Sequence, residues 1–362
     1  MTMSVVRHLI QKGWEVSLAV LADVDGPKVI VPAGVVPLTL AGTRRIHPLA
    51  AILQLSTIIR RYDVILAAQE AAATNFSWAA SRLVGRPTVS WTHTAFENFQ
   101  QTMRPRDRKI AHAVYRRLDH VVFPSEGAAQ SLARALGGRT AGEWHVIKNF
   151  SESRNEGVTP PVWREEWSAW FDRPVVLAVA RLVAEKALDR LVRAHRNLLD
   201  RGLHHHLVIA GTGPERQALE AEAARLGVSA TTFFAGHVED PTPLYRRATV
   251  FGMCSRFEGF GLTLLEAMTV GLPVVAMDCE SGPREVLDGG AAGVLTPDGD
   301  ERAFADALAR LLTDQSARRH YAAAGQLRAA EYTADRVMPQ WEELLLRVAA
   351  EGRKHKSGRH PL

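Results

Sequence analysis

Short apolar runs alternate with amphipathic stretches along most of the chain. The runs lie at 63–67, 87–91, 120–123, 144–147, 175–180, 207–210, 231–235, 250–254 and 273–277, each bounded by turn residues. Runs this short and this apolar read as strands buried on both faces, the signature of a parallel sheet. A further strand is expected over Trp14–Leu21. Between the runs, apolar residues recur at helical spacing. Val5, Val6, Leu9 and Ile10 share one face of a helix that Gly13 stops, and similar faces run through 46–61, 71–84 and 104–117. Ser125 is placed to cap another helix, one more starts near Leu188, and the last third carries helices at 301–312, 315–330 and 334–350. Strand and helix in alternation predict doubly wound α/β architecture. At 362 residues, two domains are expected. Ser151–Arg173 mixes Pro, Glu and Trp without a sheet pattern and reads as a linker. The expected division is therefore an N-terminal domain at 1–150, a linker at 151–173, a second domain at 174–333, a terminal helix at 334–350 and a disordered basic tail at 351–362. A doubly wound half that opens on a helix lacks its first strand.

The chain is organised around Val250–Met277, VFGMCSRFEGFGLTLLEAMTVGLPVVAM. It reads as strand, glycine-containing turn, helix, strand: one crossover unit. Ligands in such sheets sit beyond the carboxyl ends of the strands. Gly259 and Gly261 let backbone amides approach a ligand, and a helix start favours anions. Glu258 and Glu266 can accept hydrogen bonds from sugar or ribose hydroxyls; they can equally be a capping and a surface glutamate. Arg181 and Lys186 share one strand-to-helix loop and suit a diphosphate, or are simply exposed cations. His93, at the end of the 87–91 strand, is either a ligand contact or a structural histidine. Gly211-Thr212-Gly213-Pro214 is a weak dinucleotide signal, because position 216 is arginine. His204–His206 reads as a surface feature, and no metal-ligand set is found.

Charge and composition narrow the classes. Apolar content of 46% and charged content of 23% are ordinary for a globular protein. Cys254 and Cys279, the two cysteines, exclude a disulfide framework and read as buried thiols in a reducing compartment. No run reaches the roughly 18 apolar residues of a spanning helix. A cytoplasmic location is expected, peripheral on the inner membrane face. The first 148 residues carry 18 Lys and Arg against 10 Asp and Glu. Such a basic half suits anionic lipid headgroups or a diphosphate-bearing acceptor. The basic run at 104–117 reads as a solvated helix face or a membrane-surface contact. No nucleic-acid motif accompanies these charges.

SRFEGFGLTLLEAMTVGLPVVA, with two glutamates separated by seven residues, closely resembles the signature of glycosyltransferase family 4. These are retaining nucleotide-sugar enzymes of GT-B fold, in which two Rossmann-like domains face a cleft. The resemblance covers nearly the whole chain. It implies that Arg181 and Lys186 bind the donor diphosphate together with the amides of Gly259, Phe260, Gly261 and Leu262. Glu266 would bond the ribose, and Glu258 with His93 would hold the sugar. The loop at Gly236-His237-Val238 would meet the base through its backbone. The family's Gly-Arg-Leu and Lys-Gly carry alanines here, at Ala180 and Ala187, so a slightly different loop backbone is expected. Family members usually open with a strand and glycine-rich loop that contact donor and acceptor; here both are missing from the start of the sequence. Gly282-Pro283-Arg284-Glu285 resembles the form common in bacterial cell-surface polysaccharide transferases. The implied activity is transfer of a sugar, most simply from a UDP-sugar, to a glycan or polyprenyl-diphosphate-linked acceptor, with no cofactor and no metal. The alternatives are a non-catalytic nucleotide-binding protein truncated at its N-terminus, or a sugar-nucleotide hydrolase or phosphorylase on the same fold. As a loop cation outside any core, Lys186 should cost turnover rather than folding when replaced by alanine.

Overall fold

The computed structural model describes residues 1–20, 37–39, 47–151 and 163–357. They form two compact units, one of Met1–Asn149 with Ala334–Leu362 and one of Phe150–Thr333.

In the first unit, helix α1 (Thr2–Gln11) is followed by β1 (Leu18–Val20), which pairs in parallel with β2 (Pro37–Thr39) as a separate two-stranded ladder. Helix α2 (Pro48–Ile59) leads to β3 (Ile65–Ala67), α3 (Ala72–Val84) to β4 (Thr88–Trp91), and α4 (Phe96–Phe99) with α5 (Pro105–Tyr115) to β5 (His120–Phe123). Helix α6 (Glu126–Leu136) precedes β6 (Glu143–Val146). Strands β3 to β6 pair in sequence order, all parallel. Val89, Trp91, Val121 and Val122 are fully buried, as the apolar runs require. Ser125 caps α6 as expected, accepting from the Ala128 amide at 3.1 Å.

The second unit opens with a 3-10 turn at Glu165–Trp170. It continues through β7 (Val175–Val179), α7 (Leu188–Asp200), β8 (His206–Ala210), α8 (Arg216–Arg225), β9 (Thr232–Gly236), α9 (Thr242–Arg247), β10 (Val250–Met253), α10 (Leu262–Thr269), β11 (Val274–Asp278), α11 (Pro283–Val286), β12 (Val294–Pro297), α12 (Glu301–Thr313) and α13 (Gln315–Ala329). Six parallel strands lie in the order β12-β11-β10-β7-β8-β9. The chain thus starts at the centre, winds outward through β8 and β9, then returns to build the other half from β10. The reversal of direction falls between β7 and β10, the topological switch point where open α/β sheets bind ligands.

Two expected boundaries change. Of the expected linker, 152–162 lies outside the described residues. The remainder belongs to the second unit, because Trp167 is buried against Val175, Leu177 and Tyr245 and anchors the 3-10 turn to that core. The terminal helix α14 runs from Ala334 to Ser357, beyond the expected end at 350 and into the expected disordered tail. Its cover is the first unit. Trp341 meets Trp91 edge-on at 4.6 Å, Glu342 pairs with His8, Arg347 with Glu143, and Arg353 with Asp63. Gly352 lies so close to the β4 end of the sheet that a Cβ there would stand 2.7 Å from Pro87 Cδ.

Candidate functional site

At the switch point, the carboxyl ends of β7 and β10 open into a pocket of about 210 Å³. Its walls bring Arg181 and Lys186, from the loop after β7, together with Ser255, Glu258 and Thr263, from the loop and helix after β10. Three of the four residues expected to do chemistry therefore share one cavity.

Local geometry explains how the cation loop is held. Leu182 is fully buried and pins the loop between its two cations. The neighbouring Gly211-Thr212-Gly213 turn runs directly beneath it. The Ala180 amide donates to Ala210 and the Leu182 amide to Thr212, while Glu215 donates back to Leu182. A Cβ on Gly211 would stand 1.8 Å from the Ala180 carbonyl oxygen, and one on Gly213 would stand 2.2 Å from that of Leu182. These glycines thus permit backbone-to-backbone contact under the cation loop. Ala187 ends the loop at φ 46, the left-handed conformation a glycine would take, so the alanine keeps a glycine-like backbone at that position. Its carbonyl accepts from the Cys254 thiol at 3.1 Å.

The glutamate loop is held from the other side. The Glu258 amide donates to Glu280, and the Ser281 hydroxyl donates to the Glu258 carbonyl. Gly282, at φ 92, presses against Phe260: a Cβ would lie 2.5 Å from the Phe260 carbonyl oxygen. The Arg256 amide donates to Glu185, which ties the glutamate loop to the cation loop. Gly261, at φ 91, then turns the chain into α10, with Gly259 and Phe260 buried beside it and Leu262 as its first residue. The first-turn amides of such a helix have no intrahelical acceptor and favour an anion.

Within the pocket Lys186 Nζ donates to Glu258 Oε1 at 2.6 Å, and the Ser255 hydroxyl donates to the same oxygen at 2.7 Å. Both members of the ion pair are largely buried, with side chains 19% and 9% exposed. Arg181 stands apart, exposed and paired with Glu185 at 3.3 Å. Both cysteines flank this region as buried free thiols; burial pushes Cys254 up to about 12 and Cys279 higher still, so neither is a nucleophile at neutral pH.

The remaining expected residues lie elsewhere. Glu266, in the second turn of α10, does not line the pocket; its Oε2 accepts from Tyr245 Oη of α9 at 3.0 Å. Val238 follows β9 and packs half-buried on the core. His93 belongs to the first unit, just past β4. Its Nε2 meets the Ala68 carbonyl at 2.9 Å, its amide donates to Glu70, and its ring packs 4.5 Å from Trp91. A carbonyl only accepts, so Nε2 carries the proton and Nδ1 is left as an acceptor. Burial holds the His93 pKa below the usual histidine value, against the opposing pull of Glu70.

Ser255 and Tyr245 are the two contacts that sequence reasoning missed. Ser255 stood inside the quoted turn without a role, and Tyr245 lies on a helix of six residues that gave no periodic signal. The reading of His204–His206 as a surface feature is corrected in part. His204 is exposed, but His205 is buried, and its Nε2 lies 2.8 Å from Nδ1 of buried His195.

The comparisons with known proteins agree with this architecture. A model described as Glycosyltransferase Family 4 matches residues 1–151, and one described as Glycosyl transferases group 1 matches 162–328. An exopolysaccharide phosphotransferase of Streptomyces coelicolor is 32% identical over 234 residues, covering 64% of this chain and 24% of that protein. The lipopolysaccharide core biosynthesis glycosyltransferase LpsE of Rhizobium meliloti is 33% identical over 211 residues, covering 58% of this chain and 59% of LpsE. The amylovoran biosynthesis glycosyltransferase AmsD of Erwinia amylovora is 28% identical, with 47% of each chain covered. The matches thus span between about a quarter and three-fifths of these relatives' lengths. Among solved structures, sucrose-phosphate synthase of Thermosynechococcus elongatus superposes with a TM-score of 0.83 at 20% identity, covering 96% of this chain and 92% of that one. HepE of Anabaena, in complex with UDP, gives 0.72 at 21% identity over 86% of each chain. These two likenesses carry the fold. With the paired family models running from residue 1 to 328 and both units built as parallel α/β sheets, the chain belongs to glycosyltransferase family 4 and has the GT-B fold.

Proposed function

We propose that the chain transfers a sugar from a nucleotide-sugar, UDP-linked, to a glycan or lipid-linked acceptor in cell-surface polysaccharide synthesis, with retention of anomeric configuration. The observation that carries this reading is the pocket at the β7–β10 switch point, where Arg181, Lys186 and Glu258 meet beside the start of α10. Relatives named for lipopolysaccharide and amylovoran biosynthesis support the product class, and HepE in complex with UDP supports the donor.

Breaking the bond between the sugar C1 and the diphosphate oxygen leaves negative charge on the diphosphate. Cations and helix amides already in place stabilise that charge without reorganising, which is where such a site lowers the barrier most. Arg181 and the α10 amides would meet the diphosphate. Lys186 would be shared between its phosphate oxygens and the carboxylate that it already contacts. Glu258, fixed by Lys186 and Ser255, would hold sugar hydroxyls. Glu266, steadied by Tyr245, would accept from the ribose. In the first unit, neutral His93 would offer Nδ1 as an acceptor to the sugar. Retention follows if the departing phosphate takes the proton of the acceptor hydroxyl as that oxygen bonds C1 on the same face. This assignment gives the chain's residues no metal-dependent step in the transfer.

Calorimetric titration with UDP, GDP and ADP tests the reading. Selective UDP binding, lost in Glu266→Ala, is expected, with turnover appearing in a panel of UDP-sugars and acceptors. A folded protein that binds none of the three would sink the donor assignment and favour a non-catalytic role. Product formation that needs no hydroxyl acceptor would favour a hydrolase or phosphorylase.

A further inference from the structure

The sheet of the first unit carries a second group of chemistry-bearing side chains at the strand ends opposite His93. His120 opens β5; Glu143 opens β6, with His145 two positions on. The register pairs His120 with Glu143 and Val122 with His145. Side chains two apart on a strand share a face, so all three project to the same side of the sheet. One ligand atom of each lies within 4.8 Å of the others. The two imidazoles stack with their centroids 5.7 Å apart.

Two ring nitrogens in this group, Nδ1 of His120 and Nε2 of His145, are buried and have no hydrogen-bond partner. His120 as a whole is only 4% exposed. Buried polar atoms in native proteins are rarely left unpaired, and each such atom calls for a partner. The nearest carboxylate oxygen to His145 Nε2 is Glu143 Oε2, at 3.7 Å. That is too long for a hydrogen bond, yet close to the roughly 3.3 Å between two ligands of one tetrahedral ion at ~2.0–2.1 Å. Nε2 of His120 lies 3.1 Å from Glu351 Oε2 on α14. A carboxylate on the far nitrogen is the contact that fixes the tautomer of metal-binding histidines, here leaving Nδ1 with a bare lone pair. Glu143 Oε2 also accepts from Arg347 at 2.8 Å; with two lone pairs, that oxygen can hold a cation as well.

We propose that His120, Glu143 and His145 bind a divalent transition-metal ion of the zinc class, with Glu351 orienting His120. Imidazole nitrogens with one carboxylate select zinc or nickel over magnesium or calcium, which prefer all-oxygen sets. The ion joins β5 to β6 directly and α14 through Glu351, so it fastens the terminal helix to the sheet. It lies at the opposite strand ends from the proposed sugar contact and does not depend on that reading.

The test uses the full chain, stripped with a chelator and dialysed, then titrated calorimetrically with Zn²⁺ and separately with Mg²⁺. One Zn²⁺ per chain, no Mg²⁺ binding and a higher melting temperature with Zn²⁺ are expected. Glu143→Gln and His145→Asn, at less buried positions than His120, should each weaken Zn²⁺ at least about 10-fold, and Glu351→Gln about 10–100-fold. His204→Asn, beside two other histidines, should leave the affinity unchanged. A folded chain that takes up no stoichiometric Zn²⁺, or Zn²⁺ binding equally strong in Glu143→Gln and His145→Asn, overturns the proposal.

Discussion

At the scale of single residues, the ion pair of Lys186 and Glu258 changes what a substitution should do. Lys186 reads as an expendable loop cation from its neighbours in sequence. In the fold it compensates a carboxylate that is 9% exposed. Lys186→Ala leaves that carboxylate buried with Ser255 alone, and removing one partner of such a pair destabilises the fold. A loss of about 1–3 kcal/mol is expected in urea denaturation, alongside the loss of turnover. The double variant Lys186→Ala/Glu258→Gln should regain part of that stability but none of the activity. Additive losses would show the pair to be uncoupled. Tyr245→Phe removes one hydrogen bond to Glu266 and leaves the ring in its packing. If Glu266 binds ribose, UDP affinity should fall by roughly 5–10-fold, with unchanged melting. Ala187→Gly should raise stability by up to about 1 kcal/mol, because glycine takes the left-handed conformation without the Cβ clash.

Among elements, the buried pair of His195 on α7 and His205, just before β8, makes the second unit sensitive to acid. His205 Nδ1 donates to the Leu203 carbonyl, so its Nε2 accepts from His195 Nδ1. His195 Nε2 lies 2.8 Å from the Thr231 hydroxyl, which itself donates to the Val228 carbonyl. Burial, reinforced by His205, His206 and Arg196, brings His195 down to about 3, and burial with His206 and His204 lowers His205 against the pull of its bond to the Leu203 carbonyl. Between the folded and unfolded values the unfolded chain binds more protons. Stability is therefore full above pH 6.5 and declines as pH falls. From pH 6.5 to 5 the loss for His195 alone should be about 2 kcal/mol. Thermal melts across that range check this, and His195→Gln should flatten the slope. The same pair shows what sequence can and cannot reveal. Buried parallel strands were legible because they are continuous apolar runs, and long helices because their faces repeat. Short helices such as Thr242–Arg247 give too few turns for periodicity to appear. The residues of the quoted family motifs were legible one by one. Their partners were not: Lys186 and Glu258 meet only because β7 and β10 are adjacent, and His195 meets His205 only where α7 packs by the residue that leads into β8.

For the whole molecule, the terminal helix decides where the first unit ends. Val337, Met338, Trp341, Leu344, Leu345 and Val348 are all buried, and Trp91 at the end of β4 lies against Trp341. A chain ending at Thr333 should expose these surfaces, so the first unit is expected to unfold or aggregate. The second unit, with its own two core clusters, should persist as a protease-resistant fragment near residues 163–333. Limited proteolysis with mass spectrometry distinguishes this from a truncated chain that remains intact throughout.

That helix also imposes an order on synthesis. The unit that begins first on the ribosome cannot close until the final segment has been made, some 185 residues after Asn149. At about 5–20 residues per second, its unfinished sheet waits roughly 10–40 s while the second unit folds ahead of it. A nascent chain stalled in that interval is the form in which chaperones would meet this protein.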